Sequence, residues 1–356
     1  GTKQLGTSGA EDGYGVTTDS SNNVYITGYT NGGLDGNTSA GSADLFVLKY
    51  NSSGIKQWTK QLGTSGTENA RGIATDSSGN FYVTGRTTEA MDGTAASANN
   101  EYDLYVVKFN SSWTKQWTRQ LGTSSGETAW EIATDSSDNV YVTGETTGGL
   151  DGNTNEGNTD IFVVKYNSSG TKQWTKQLGA SGFDFGRGIA IDSSDNVYVT
   201  GGTEGSLEGT NAGNYDIFVV KYNSSGTEQW TKQLGTSNLD FAEAIATDSS
   251  DNVYVTGGTE GSLDGTNAGS RDLLLVKYNS SGSKQWTKQL GTSSYDMANG
   301  VATDSSGNVY VTGYTSGGLD GNTSAGEDDL FVVKYNSSGT KQWTKQLGTP
   351  SNETAW

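Results

Sequence analysis

The chain has 356 residues, with 22 basic and 40 acidic side chains, a formal net charge of −18, 52 glycines, one proline, and neither histidine nor cysteine. That inventory excludes His-based triads, cysteine nucleophiles, thiolate or imidazole zinc sites, haem ligation by these residues and cysteine-held iron–sulfur clusters, leaving the chemistry of oxygen ligands. The acidic excess repels nucleic-acid backbones and suits calcium, and no run of about 18 apolar residues is present to form a membrane-spanning helix.

The chain opens at Gly1 without a charged-then-apolar leader, which reads as a processed or excised segment of a soluble protein. The segment Lys3–Thr7 returns near the other end as Lys345–Thr349, so the termini overlap. Between them one unit recurs: a short Gly-Ile-Ala-Thr strand, an Asn-Val-Tyr-Val-Thr-Gly strand, an Asp-Leu-Phe-Val-Val-Lys-Tyr strand and a Lys-Gln-Trp-Thr-Lys-Gln-Leu strand. Alternation of Val309, Val311 and Gly313 against Tyr310 and Thr312 has the period of a strand. Asp-Ser-Ser-Gly-Asn and Asn-Ser-Ser-Gly-Thr join the outer pairs as turns. Trp58, Trp117, Trp174, Trp230, Trp286 and Trp343 mark six complete copies. The last residues, Glu353-Thr354-Ala355-Trp356, repeat Glu127-Thr128-Ala129-Trp130. Four-stranded units of this length, repeated four to eight times, are the signature of a β-propeller. The expectation is an all-β, six-bladed β-propeller of four-stranded antiparallel blades, with seven blades the alternative. It is one domain over 1–356 with repeats of 56–59 residues, whose overlapping termini (1–9 and 345–356) close the ring through a terminal strand.

The Asp-Ser-Ser-Gly-Asn-Val-Tyr-Val-Thr-Gly and Asp-Leu-Phe-Val-Val-Lys-Tyr segments resemble the bacterial beta-propeller repeat (SBBP) family, related to NHL and WD40 propellers, over essentially the whole chain. The resemblance implies an exported or surface propeller without an agreed enzymatic activity. The family's name implies seven blades against the six complete repeats present here.

In a propeller chain the two short hairpins of each blade share one face. Asp19, Asp76, Asp135, Asp192, Asp248 and Asp304, with Asn51 and its five counterparts, fall there as turn formers. The Gly and Trp of Asn-Ser-Ser-Gly-Thr-Lys-Gln-Trp are similar to the Trp-docking motif of quinoprotein propellers and to the Asp box of sialidases, which implies that the Trp58 series locks blades. Lys49, Lys108, Lys165, Lys221, Lys277 and Lys334 read as buried-stem lysines paired with a recurring carboxylate. The opposite face collects three carboxylates per repeat, in the series of Asp35, of Asp44, and of Glu11, Glu68, Glu127, Asp184, Asp240 and Asp296. The last series is the candidate metal set, with calcium the expected ion and no other cofactor required.

Near-identical copies diverge sharply at two positions. Two residues before the Ile or Val of the inner strand stand Tyr14, Arg71, Trp130, Arg187, Glu243 and Asn299, and after the Thr-Gly pair stand Tyr29, Arg86, Glu145, Gly202, Gly258 and Tyr314. Both should rim the channel mouth, so Tyr14, Arg71, Trp130, Arg187, Glu243, Tyr29, Arg86 and Tyr314 are the candidate ligand-binding residues. The expected function is a secreted or cell-surface, monomeric, non-enzymatic binding or scaffold module for a glycan or protein ligand. A sialidase-like glycoside hydrolase with an Arg71, Arg86 and Arg187 clamp, or a structural spacer, are the alternatives.

Overall fold

The computed structural model describes residues 4–91 and 101–353. Among them 24 strands form six four-stranded antiparallel sheets, each built from four consecutive strands in sequence order. The fold is a six-bladed β-propeller. The first blade runs through Glu11–Thr18, Val24–Thr30, Asp44–Tyr50 and Lys56–Leu62, and the other five repeat this plan. Among the described residues, three one-turn 3₁₀ segments, at Leu34–Gly36, Leu150–Gly152 and Leu319–Gly321, lie in the loops between second and third strands. The blades group into two compact units of three, residues 1–155 with 159–178, and residues 156–158 with 179–356.

Within each unit the period-two pattern of the middle strands buries both faces, because each sheet has a neighbour. Leu104, Tyr105, Val106 and Val107 are all fully buried in the second blade, as are Leu273, Leu274, Leu275 and Val276 in the fifth. Thr84 sits among them at no cost, since its hydroxyl donates to the Tyr105 carbonyl at 2.7 Å.

The hairpins explain the recurring Asp, Asn and Lys. Asp76 accepts the backbone N–H groups of Ser78 and Asn80 at 3.1 and 2.8 Å and the Tyr82 hydroxyl at 2.9 Å. Lys108 lies 3.3 Å from the same carboxylate. Burial opposes the charge of Asp76, yet these bonds and Lys108 hold its pKa below the usual carboxylate value. Lys165–Asp135 and Lys221–Asp192 repeat the pair at 3.8 and 3.5 Å. Lys108 and Lys277 also reach the next blade, where Lys108 donates to the Ser168 carbonyl at 3.1 Å and Lys277 to that of Ser337 at 3.1 Å.

Trp117 and Trp230 lock neighbouring blades, through their edges rather than by full burial. The Trp117 indole donates to the Ser168 carbonyl of the third blade at 3.2 Å, and Trp230 does the same to Ser280 of the fifth. A Cβ placed on Gly170 would come within 2.9 Å of the Trp117 ring, so this left-handed turn glycine (φ 80°) is also the floor on which the indole rests. In the second blade Trp113 occupies the glycine position at φ 68° and packs tilted against Trp58, with ring centroids 6.0 Å apart.

Of the segments expected to close the ring, Lys345–Leu347 lies in the fourth strand of the sixth blade (Lys341–Leu347), paired with that blade's own third strand. Gln4–Thr7 carries no strand, and residues 1–3 and 354–356 lie outside the described residues.

Candidate ligand-binding site

The pairing of first with second strand slips by one residue in every blade, between Gly13 and Gly15, Ala70 and Gly72, Ala129 and Glu131, Gly186 and Gly188, Ala242 and Ala244, and Ala298 and Gly300. The extra residues of these β-bulges are Tyr14, Arg71, Trp130, Arg187, Glu243 and Asn299. A bulge takes its residue out of the alternation and re-aims its side chain. The cause is written in the Thr-Gly pair opposite. A Cβ on Gly85 would lie 1.9 Å from the Asn69 carbonyl oxygen, one on Gly144 2.0 Å from that of Thr128, and one on Gly313 1.9 Å from that of Met297. Only glycine lets the bulged carbonyl press that close. The divergent residues of the repeats are therefore the ones that the shared backbone device presents.

In the first unit five of the sequence-predicted residues come together. The Arg71 guanidinium lies over the Tyr14 ring at 4.1 Å and over the Trp130 ring at 4.5 Å, cation against π face on both sides. Tyr14 stacks in turn on Tyr29, with ring centroids 6.1 Å apart, and the Tyr29 hydroxyl donates to Asp12. That bond is the main reason the Tyr29 pKa is pushed up to about 12. Arg86 lies over the Tyr102 ring at 4.1 Å. Burial lowers the Arg86 pKa, and the charge of Arg71 adds to the effect while Tyr102 and Glu145 oppose it.

In the second unit the predicted residues are differently engaged. Arg187 lies 4.0 Å from Glu243 and over the Phe185 ring at 4.9 Å. Tyr314 stacks on Tyr295 at 5.9 Å. Tyr295 also meets Arg271, whose guanidinium is paired with Glu260 at 2.7 Å.

Sequence reasoning missed Tyr102, Arg271, Phe185, Phe241 and Glu131. A signal existed for all of them. The residue before the third strand reads Ala43, Tyr102, Thr159, Tyr215, Arg271 and Asp328, and the second residue of the first strand reads Asp12, Asn69, Thr128, Phe185, Phe241 and Met297, as divergent as the two positions chosen. Glu131 is the one acid at a position otherwise Gly15, Gly72, Gly188, Ala244 and Gly300.

The recurring carboxylates of this face are engaged with donors. Glu68 accepts the Thr64 N–H and hydroxyl, both at 2.6 Å, and the Thr87 hydroxyl at 3.0 Å. Glu11 and Glu127 repeat this with Thr7 and Thr30 and with Thr123 and Thr146. Asp184, Asp240 and Asp296 accept from Thr203, Thr259 and Thr315. Each of the six thus ties the loop entering a blade to that blade's second strand. The Asp44 series accepts a glutamine amide, as in Gln61 to Asp44 at 2.7 Å, and Asp35, Asp151 and Asp320 pair with Lys56, Lys172 and Lys341. Asp92 lies outside the described residues. Among the described residues no three carboxylates gather as a metal cluster.

A beta-propeller repeat family model (SBBP) matches residues 1–35, 57–90, 116–151, 173–208, 229–264 and 285–320. The chain is similar to a WD repeat-containing protein of Acanthamoeba polyphaga mimivirus, L264, with 24% identity over 96% of this chain and 34% of that protein. It is also similar to the regulatory protein FlaEY of Caulobacter vibrioides, with 26% identity over 47% of this chain and 20% of that protein. The chain thus spans about a third and a fifth of the lengths of these relatives. Among solved structures, a Bacteroides caccae protein of unknown function aligns with a TM-score of 0.48 and 10% identity, over 85% of this chain and 89% of that one. A Xanthomonas campestris gluconolactonase aligns with a TM-score of 0.45 and 11% identity, over 85% and 83% of the two chains. Six family matches, spread over six blades of one plan, place the chain in the SBBP beta-propeller repeat family.

Proposed function

We propose that this chain is a non-enzymatic binding module of an exported or cell-surface protein, and that it engages a glycan or protein ligand through the bulge residues of its first strands. One observation carries the reading. Repeats that agree at core and turn positions differ at the residue that the backbone bulge re-aims, and four of the six there are Tyr, Arg or Trp, the side chains that dominate binding hot spots, with Glu243 and Asn299 the other two. Drift on a solvated face would more often leave Ser, Thr, Asn or Lys. Hydrolysis of a glycoside needs two specialised carboxylates, whereas the recurring acids here accept hydroxyl and amide donors in blade after blade. That supports binding over catalysis. The test is a glycan-array and surface-protein screen of the full chain beside the Tyr14→Ala, Trp130→Ala double variant. A specific signal lost in a variant that melts at the wild-type temperature supports the reading, and equal signals from both proteins refute it.

A further inference from the structure

We infer that the second blade carries a carboxylate-binding site around Arg71 and Arg86, and that its ligand is a short uronate-bearing oligosaccharide. This inference rests on the binding role proposed above. Among the described residues, neither arginine makes a hydrogen bond or an ion pair, and the buried Nε of each has no partner. Two arginines of the second unit do meet acids. Arg187 faces Glu243 and Arg271 faces Glu260, and lysines such as Lys56 and Lys108 pair with Asp35 and Asp76. Arg71 and Arg86, on paired strands of one blade, have no acid in contact among the described residues.

Among the described residues, two more groups without a partner lie on the first and third strands of this blade. Tyr105 is fully buried, its hydroxyl has no partner, and its pKa reports burial first and then the charges of Glu68 and Arg71. The same position is Phe46, Phe162, Phe218, Leu274 and Phe331 in the other blades, so the hydroxyl is an addition that packing does not need. Asn69, directly across the ladder from Arg86, has a buried Oδ1 that no donor meets. A buried polar atom left unmatched costs about 1–3 kcal/mol, and four of them on one blade imply a ligand that supplies both acceptors and donors.

The form of that ligand follows from the stacking. Tyr14 and Trp130 cover the faces of the Arg71 guanidinium, so only its edge is left, a row of coplanar N–H groups that matches the two oxygens of a carboxylate. Asn69 Oδ1 and the Tyr105 hydroxyl call for hydroxyl partners, which a sugar ring carries. A sugar acid offers both the carboxylate and the hydroxyls. It also brings one charge per ring, whereas an acidic protein would carry many charges into the field of an acidic chain.

The experiment is calorimetry of the full chain with trigalacturonate, with its methyl ester, and with neutral galactotriose. The acid is expected to bind, and the ester and neutral trimer at least tenfold more weakly, about 1.4 kcal/mol. Arg71→Lys, which keeps the charge and loses the planar fork, should cost at least tenfold. Tyr105→Phe, which restores the residue type of other blades and so leaves the fold intact, should cost at least threefold with an unchanged melting temperature. Equal binding of acid and ester, unaltered affinity in both variants, or no heat with millimolar acid overturns the inference. Neutral-trimer binding that is lost in Trp130→Ala but kept in Arg71→Lys would overturn the carboxylate while leaving the binding role standing.

Discussion

Glu131 to Gln is the substitution whose outcome follows most directly from the structure. Glu131 stands on the first strand of the third blade where that strand approaches its neighbour so closely that a Cβ on Gly72 would meet the Glu131 Cα at 3.1 Å. Its carboxylate accepts one N–H, from Ile132 at 3.0 Å. Burial pushes its pKa from 4.5 up to about 7, and that single bond offsets little of the push. The folded protein therefore holds the proton more tightly than the unfolded chain. The stability that the protonated group contributes is complete below about pH 4.5 and is lost as the pH rises through about 7. At about 1.36 kcal/mol per pH unit, the interval from 4.5 to about 7 caps the loss at roughly 3 kcal/mol. The side chain is only half-buried, so water screens part of this, and about 1–2 kcal/mol is expected. Glutamine keeps the shape and the acceptor and cannot ionise. Urea unfolding of wild type and Glu131→Gln at pH 4.5, 6 and 8 should show matching midpoints at the lowest pH and a variant more stable by about 1–2 kcal/mol at the highest. A difference between the two proteins that stays constant across that range would refute the reasoning.

Three further outcomes are expected. Trp117→Ala should destabilise by about 2–3 kcal/mol, because the ring and its bond to Ser168 tie two blades, while Trp343→Ala, at a ring 39% exposed, should cost under about 1 kcal/mol by the same unfolding assay. Gly144→Ala drives a methyl onto the Thr128 carbonyl at 2.0 Å, so it should cost about 3 kcal/mol or more and alter the Trp130 emission as the bulge reforms; an unchanged spectrum would show that the bulge does not depend on that glycine. Millimolar calcium should leave the melting temperature where matched sodium chloride leaves it, since the six candidate carboxylates already accept threonine donors; a calcium-specific rise would show that the ion displaces them.

The repeat, the strand period, the turn chemistry and the Trp and Lys roles were all legible in the chain, because each is set by residues close in sequence and printed six times over. Divergence between copies also located the bulge residues. What the sequence could not show was the bulge itself, which arises from a close approach of Thr-Gly on one strand to a carbonyl on another. The recurring acids were read as a cation face because their spacing is visible and their partners are not: Glu68 meets Thr87 only once two strands pair. Orphaned groups are likewise a property of packing. Arg71, Arg86, Asn69 and Tyr105 are ordinary letters in the chain, and only the tertiary structure decides that Arg71 Nε, Arg86 Nε, Asn69 Oδ1 and the Tyr105 hydroxyl meet no hydrogen-bond partner among the described residues. Local rules select the strands and turns, whereas the electrostatics of a site are sums over neighbours that the chain brings together from distant positions.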